Sequence, residues 1–329
     1  MQFYLAIAAL VLSASPSSRG DAALCGCTRY WCNSGAGDWF DPLNWCPYQD
    51  YVPGCGEQPV CPIDNGITEA NINNGGEAQI TSTTTTAHAC EVFLGRNNST
   101  ESGALTVNHG TLNQCNDMFV GYYGKGTLSI KNGGSVSTLA GASIGAAAGS
   151  NGSATVDGTS STWTVTISGG GAVLRVGGIL NGQGGTGLLT VINGGTVNAD
   201  SVYVYKSGTL TGNGTVNTSS GMTIDGTLAP SGTLTIGGNL SVGTLANMRC
   251  NVSSTSVDKA EVSGTATLNG KLSVTLNGFF TGDFPLLHAS TLSGQFSSYS
   301  FTYTGCLSPS IVYDYVNGYV KLHVESTCQ

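Results

Sequence analysis

Charged side chains are what this sequence has least of: 11 Lys plus Arg and 19 Asp plus Glu make up 9 % of 329 residues, for a net charge of -8. Phosphate recognition needs grouped cations, and none are grouped here, which excludes a nucleic-acid partner. The same shortage removes a basic membrane-binding face. Long apolar runs are also lacking. After the run Phe3 to Leu12, no stretch reaches the roughly 20 residues of a membrane helix, so no transmembrane segment is expected in the mature chain. That first run, followed by small residues, predicts a secretory signal peptide over 1–20 and an exported, extracellular or surface-located protein.

Glycine is abundant instead, with 49 residues set among Thr, Ser, Asn, Val and Leu and without the three-residue period of collagen. The eleven cysteines are the other excess. Cys25, Cys27, Cys32, Cys46, Cys55 and Cys61 crowd the N-terminal region, and Cys90, Cys115, Cys250, Cys306 and Cys328 follow. In an exported chain that density predicts a disulfide-held unit rather than a metal site. The odd total leaves one thiol free or joined to another chain. Seven sequons, at Asn97, Asn98, Asn151, Asn213, Asn217, Asn239 and Asn251, are glycosylation candidates that must face solvent if they carry sugar.

One phrase recurs. Gly103-Ala104-Leu105-Thr106-Val107, Gly126-Thr127-Leu128-Ser129-Ile130, Gly152-Ser153-Ala154-Thr155-Val156 and Gly187-Leu188-Leu189-Thr190-Val191 are each followed by an Asn-, Asp- or Gly-rich corner, and degenerate copies begin at Gly208 and Gly232. The starts are 23, 26, 35, 21 and 24 residues apart, a period at which a unit cannot bury its own apolar face and must stack on its neighbours. Apolar residues two apart read as a strand with one face inward. A second phrase, Phe93-Leu94-Gly95, Phe119-Val120-Gly121, Ser143-Ile144-Gly145 and Arg175-Val176-Gly177, marks another inward strand ended by a glycine turn.

The spacings predict an all-β, right-handed, single-stranded parallel β-helix with a disulfide-rich N-terminal cap. Eight or nine coils at the strand spacing of about 4.8 Å make a rod roughly 40 Å long. A β-sandwich is the competing architecture, whereas a propeller blade of about 40 residues is too long for the period. The domains expected are 1–20 signal peptide, 21–90 cysteine-rich cap and first strands, 91–257 β-helix repeats, and 258–329 C-terminal coils and cap. The interval holding Ser161 to Gly171 and Trp163 is expected to bulge as a loop or a partial coil.

Over roughly residues 91–325 these phrases resemble the passenger-associated strand repeats of bacterial autotransporters. The nearest stretch is Asp258-Lys259-Ala260-Glu261-Val262-Ser263-Gly264, continuing through Leu268, Gly270 and Leu272. It is followed by Phe284-Pro285-Leu286-Leu287, Leu292-Ser293-Gly294-Gln295-Phe296 and Tyr319-Val320-Lys321-Leu322. The resemblance covers the passenger repeats and not the outer-membrane barrel of that family. It implies a right-handed β-helix used as an adhesin or surface structure.

Parallel β-helices also carry polysaccharide-degrading enzymes, which need clustered carboxylates on adjacent coils. No acid is expected to recur with another at the coil period. His88, His109, His288 and His323 lie in separate repeats, and His109, Asp157 and Asp225 read as corner residues. Trp39 and Trp45 with Asp38 and Asp41 form the one carboxylate–aromatic group suited to a glycan, against a competing reading as a packed cap. No catalytic residue, cofactor or metal is assigned. The sequence thus predicts a non-catalytic structural or adhesion protein whose partners are itself, other surface or matrix proteins, or glycans. A polysaccharide-binding or polysaccharide-degrading β-helix protein is the alternative.

Overall fold

Strands in this chain alternate inward aliphatic and outward polar residues, and each is too narrow to bury its own apolar side. Asn151–Asp157, for example, buries Gly152, Ala154 and Val156 and turns the residues between them outward. Stacking is the only way to cover such faces. In the computed structural model, which describes residues 27–47, 67–179 and 182–328, the strands form parallel ladders, one coil above another, in a solenoid-like all-β body.

One coil has three walls. Lys125–Lys131 lies on the first, Ser135–Thr138 on the second and Gly141–Ile144 on the third; the chain then returns to the first wall at Asn151–Asp157. The first wall is a sheet of eleven strands. The second and third walls join into one 20-stranded sheet, because Thr86–Leu94, Lys259–Leu268 and Gly282–Gly294 run round the corner between them. Ten steps of about 4.8 Å give a first wall about 48 Å tall, more than the repeat phrases indicated.

The extra height has a specific cause. Leu210, Leu228 and Met248 are successive on the first wall, so two coils are only 18 and 20 residues long. The phrase at Gly208 does pair with Gly187. The phrase at Gly232 does not belong to this wall: Thr233–Gly237 pairs with Thr215–Thr218 on the second. Inward alternation is common to all three walls, so the phrase alone does not say which wall a strand occupies.

The core is a set of aliphatic columns. Leu105, Leu128, Ala154, Leu189, Leu210, Leu228, Met248 and Leu272 succeed one another on the first wall, all fully buried. Each large one contributes roughly 1.5–3 kcal/mol of transfer free energy. On the second wall Trp163 sits between Val136 and Val197, also fully buried. Its Nε1–H donates to Thr138 Oγ1 at 3.3 Å, and that hydroxyl donates to Gln114 Oε1 at 2.9 Å. The long interval around Trp163 therefore holds an ordinary coil with two excursions, the exposed turn at 167–171 and the small hairpin of Gly178–Ile179 with Gly182–Gln183.

Two kinds of glycine set the coil geometry. Gly145 ends a third-wall strand with φ +69°, a conformation other residues adopt at a cost. Gly152, which opens the next first-wall strand, has ordinary φ but no room. A Cβ there would overlap the carbonyl of Val120 and the amide of Gly145.

Disulfides join Cys32 to Cys46, Cys90 to Cys115 on neighbouring coils, and Cys306 to Cys328 at the C-terminal end. Cys25, Cys55 and Cys61, the side chain of Cys27 and the expected signal peptide lie outside the described residues. Cys250 is the free thiol among the described residues, buried in the first-wall column beside Val274. Of the two alternatives for an odd thiol, free or joined to another chain, Cys250 takes the first. Burial pushes its pKa far up, so it remains an unreactive thiol. Iodoacetamide should leave Cys250 unmodified in the folded protein and alkylate it after denaturation, as read by peptide mass spectrometry.

Candidate functional site

The group singled out near the N-terminus is spent on packing. Trp39 is fully buried and Trp45 nearly so, and each indole meets a neighbour edge-to-face, Trp45 with Trp31 and with Trp39, at 4.9 Å. Trp45 Nε1–H donates to the Trp39 carbonyl at 2.8 Å. Asp38 and Asp41 accept the backbone N–H groups of Phe40 and Leu43, as residues that start turns do. No indole face is open to a sugar, so the glycan contact expected at these four residues is replaced by an end-packing cluster closed by the Cys32–Cys46 bond.

The other candidates are corner and surface residues. His109 is exposed at φ +62°, at the same corner as Asn132. Asn132 donates to Asn108, and Asn193 to Asp157, each at 2.8 Å, forming a short outward ladder. Asp225 accepts the Tyr203 hydroxyl. All seven sequon asparagines are exposed, although all but Asn151 already make hydrogen bonds through their side chains. His288 and His323 face the carboxylates of Glu261 and Asp283 near the C-terminal end.

The third wall brings together residues that sequence reasoning missed. Glu69 and Glu91 are register partners on successive coils, and Asp117 follows on the next, immediately before Met118, the partner of Val92. This corrects the expectation that no acid recurs with another. Beside them Phe93 stacks on Phe119 with centroids 4.9 Å apart, and Arg96 lies 4.0 Å over the Phe93 ring. Each acid has its own partner. Glu69 pairs with Arg96 at 2.5 Å, Glu91 accepts from Asn116 at 2.7 Å, and Asp117 accepts the Gly141 amide and faces Arg175. The spacings from 69 to 91 and from 91 to 117 fall within the coil period, but the first precedes the earliest clear repeat phrase.

Burial raises the pKa of Glu91, with help from the charges of Glu69 and Asp117; burial likewise raises that of Asp117. Folded values above the unfolded ones favour the neutral acids on folding. That contribution is fullest below the unfolded carboxylate pKa of about 4 and is lost as pH rises through the raised values. Glu91→Gln keeps an acceptor for Asn116 and should therefore raise the urea midpoint near neutral pH, with the gain shrinking as the medium is acidified.

Further along the same wall the outward residues become small and neutral. Ser201, Gly221, Asn239 and Thr265 form one outward column, and Tyr203, Thr223, Ser241 and Thr267 the next. Together they line a cleft of about 650 Å³. A second cleft of about 460 Å³, lined by Asn198, Asn217 and Ser219 among others, lies at the neighbouring corner. Asp200 borders the latter, with its carboxylate accepting the Ile167 and Ala172 amides that tie down the 167–171 turn. The hydroxyls of Ser201, Ser220, Thr223, Ser241, Thr265 and Thr267 have no hydrogen-bond partner within the described residues, and so are free for water or a ligand.

No family model matches the chain, and no curated protein matches it. Among the described residues there is no helix long and apolar enough to cross a membrane, and no His, Cys, Asp or Glu group of three whose geometry could hold a metal ion.

Proposed function

We propose that this is a secreted or surface-exposed structural or adhesion protein, non-catalytic, with a right-handed single-stranded β-helix of the autotransporter-passenger kind as its body. The hand follows from the rule that parallel crossover connections turn right-handed. The observation that carries the non-catalytic reading is on the third wall: the acids that meet there are each held by a cation or amide, while the groups left free are neutral hydroxyls. Catalysis by paired carboxylates needs the acids free to exchange protons with a bound substrate. The disulfides suit an oxidising extracellular setting. Immunogold labelling of the producing cells and their medium tests the location. Label on the surface or in the medium is expected, and label confined to the cytosol contradicts the proposal.

The cleft favours a second reading, binding of a neutral polysaccharide. Six unpartnered hydroxyls, an exposed amide and the rim ring of Tyr203, whose hydroxyl is held by Asp225, offer hydrogen bonds and a stacking edge from a lining that contains no charged residue, the chemistry that a neutral sugar complements. Co-sedimentation with insoluble neutral glycans should then be lost in Ser241→Trp, which fills the cleft, and no reducing ends should be released. Release of reducing ends would put the enzyme in place of the binder.

A further inference from the structure

We infer that the C-terminal end of the solenoid is a self-association surface, on which the strand Ser298–Thr302 pairs antiparallel with the same strand of a second copy. This strand is the last of the first wall. It pairs on one side with Lys271–Asn277, and no strand among the described residues pairs with its other side, which leaves a row of backbone donors and acceptors open. The inward columns also end there: Tyr299 follows Leu272 and Phe301 follows Val274. Tyr299 is 41 % exposed where the residues before it in the column are fully buried. Its hydroxyl meets that of Tyr313 at 3.1 Å, and Tyr303, in the loop that follows the strand, is exposed as well.

Edge strands that must stay single are blunted by proline, lysine or charge. The neighbouring outer strand, Leu307–Asp314, carries Pro309, as edge strands do. Ser-Tyr-Ser-Phe-Thr has none of these devices. From Gly294 to Tyr313 there is no Asp, Glu, Lys, Arg or His at all.

That neutrality selects a second copy as the occupant. With a net charge of -8, most faces of two copies repel, and an uncharged end is where they can approach. Antiparallel pairing of one strand with itself about a two-fold axis is self-complementary, so every open group on one copy finds its counterpart on the other. It also closes the assembly at two, whereas head-to-tail stacking onto Ala36–Asp38 would bring up the exposed Asp38 carboxylate and continue as a filament.

Light scattering on the purified full chain tests this. Twice the monomer mass is expected at micromolar concentration, falling to monomer in both Tyr299→Lys and Thr302→Lys with the circular dichroism spectrum unchanged. Under mild oxidation the Ser300→Cys variant should give a covalent dimer, because the central residue of the strand faces its own copy. A monomeric wild type, a dimer that survives both lysine variants, or polymers in place of dimers would overturn the inference. The surface labelling proposed above stands or falls separately, since a monomer can be displayed as well as a dimer.

Discussion

Replacing Gly152 with valine should cost at least about 3 kcal/mol of stability, at the upper end of what overpacking does, and should loosen the two coils that meet there. The atoms a side chain would strike are the Val120 carbonyl and the Gly145 amide. Both are backbone, so no side-chain rotation can relieve the overlap. The coil would have to part, and with it the bond from the Gly145 amide to the Val120 carbonyl. Gly182→Ala is the matched control, since a Cβ there meets nothing within 4 Å, and its effect should stay within about 0.5 kcal/mol. Urea unfolding gives both numbers. Amide exchange should place the Gly152→Val damage around residues 120–157 and leave the C-terminal coils protected, because stability in stacked repeats is carried between neighbours.

The second large effect is expected at Trp163. Trp163→Ala removes the bulkiest side chain of the second-wall column and leaves a cavity between Val136 and Val197, for which about 3–5 kcal/mol is the usual cost. It also removes the donor that Thr138 Oγ1 accepts from, although that hydroxyl keeps its bond to Gln114. Trp163→Phe should recover most of the packing and none of the indole hydrogen bond, placing its urea midpoint between alanine and wild type. Equal losses in the two variants would mean that the hydrogen bond, not the packed volume, matters at this site.

Both effects rest on features that were legible in the sequence to different degrees. The phrase beginning at Gly103 exposed the coil period because Leu105, Leu128 and Leu189 must all point inward, and each is fully buried. The glycine of that phrase was also visible, but not its reason. Gly126 and Gly152 lie in strands where two backbones press together, a closeness that no local pattern records. Short coils hid because Thr227–Pro230 keeps the inward Leu228 but lacks the full phrase. The phrase at Gly232 misled because a second-wall strand has the same alternation as a first-wall one.

The site was less legible than the fold. Glu69, Glu91 and Asp117 share no local motif, and only the register of Ile67–Ile72 on Thr86–Leu94 brings the first two together. The pairing of Trp39 and Trp45 with acids looked like a sugar platform because composition does not reveal burial. Once the indoles are seen to pack on each other, the neighbouring aspartates are left to the turn. The neutral cleft had no signal of its own. Its hydroxyls come from four coils, and Ser and Thr are everywhere in this chain.

Distances along the first wall test the stacked-coil body most directly. Spin labels at the exposed positions 127 and 271, introduced as Thr127→Cys and Lys271→Cys, stand six coils apart along an unbroken ladder of register partners. Labels at 127 and 227 stand four coils apart. Pulsed electron resonance should give backbone separations of about 29 Å and about 19 Å, each coil adding about 4.8 Å. Equal distances for the two pairs, or a longer one for 127 with 227, would contradict the stack and every surface derived from it.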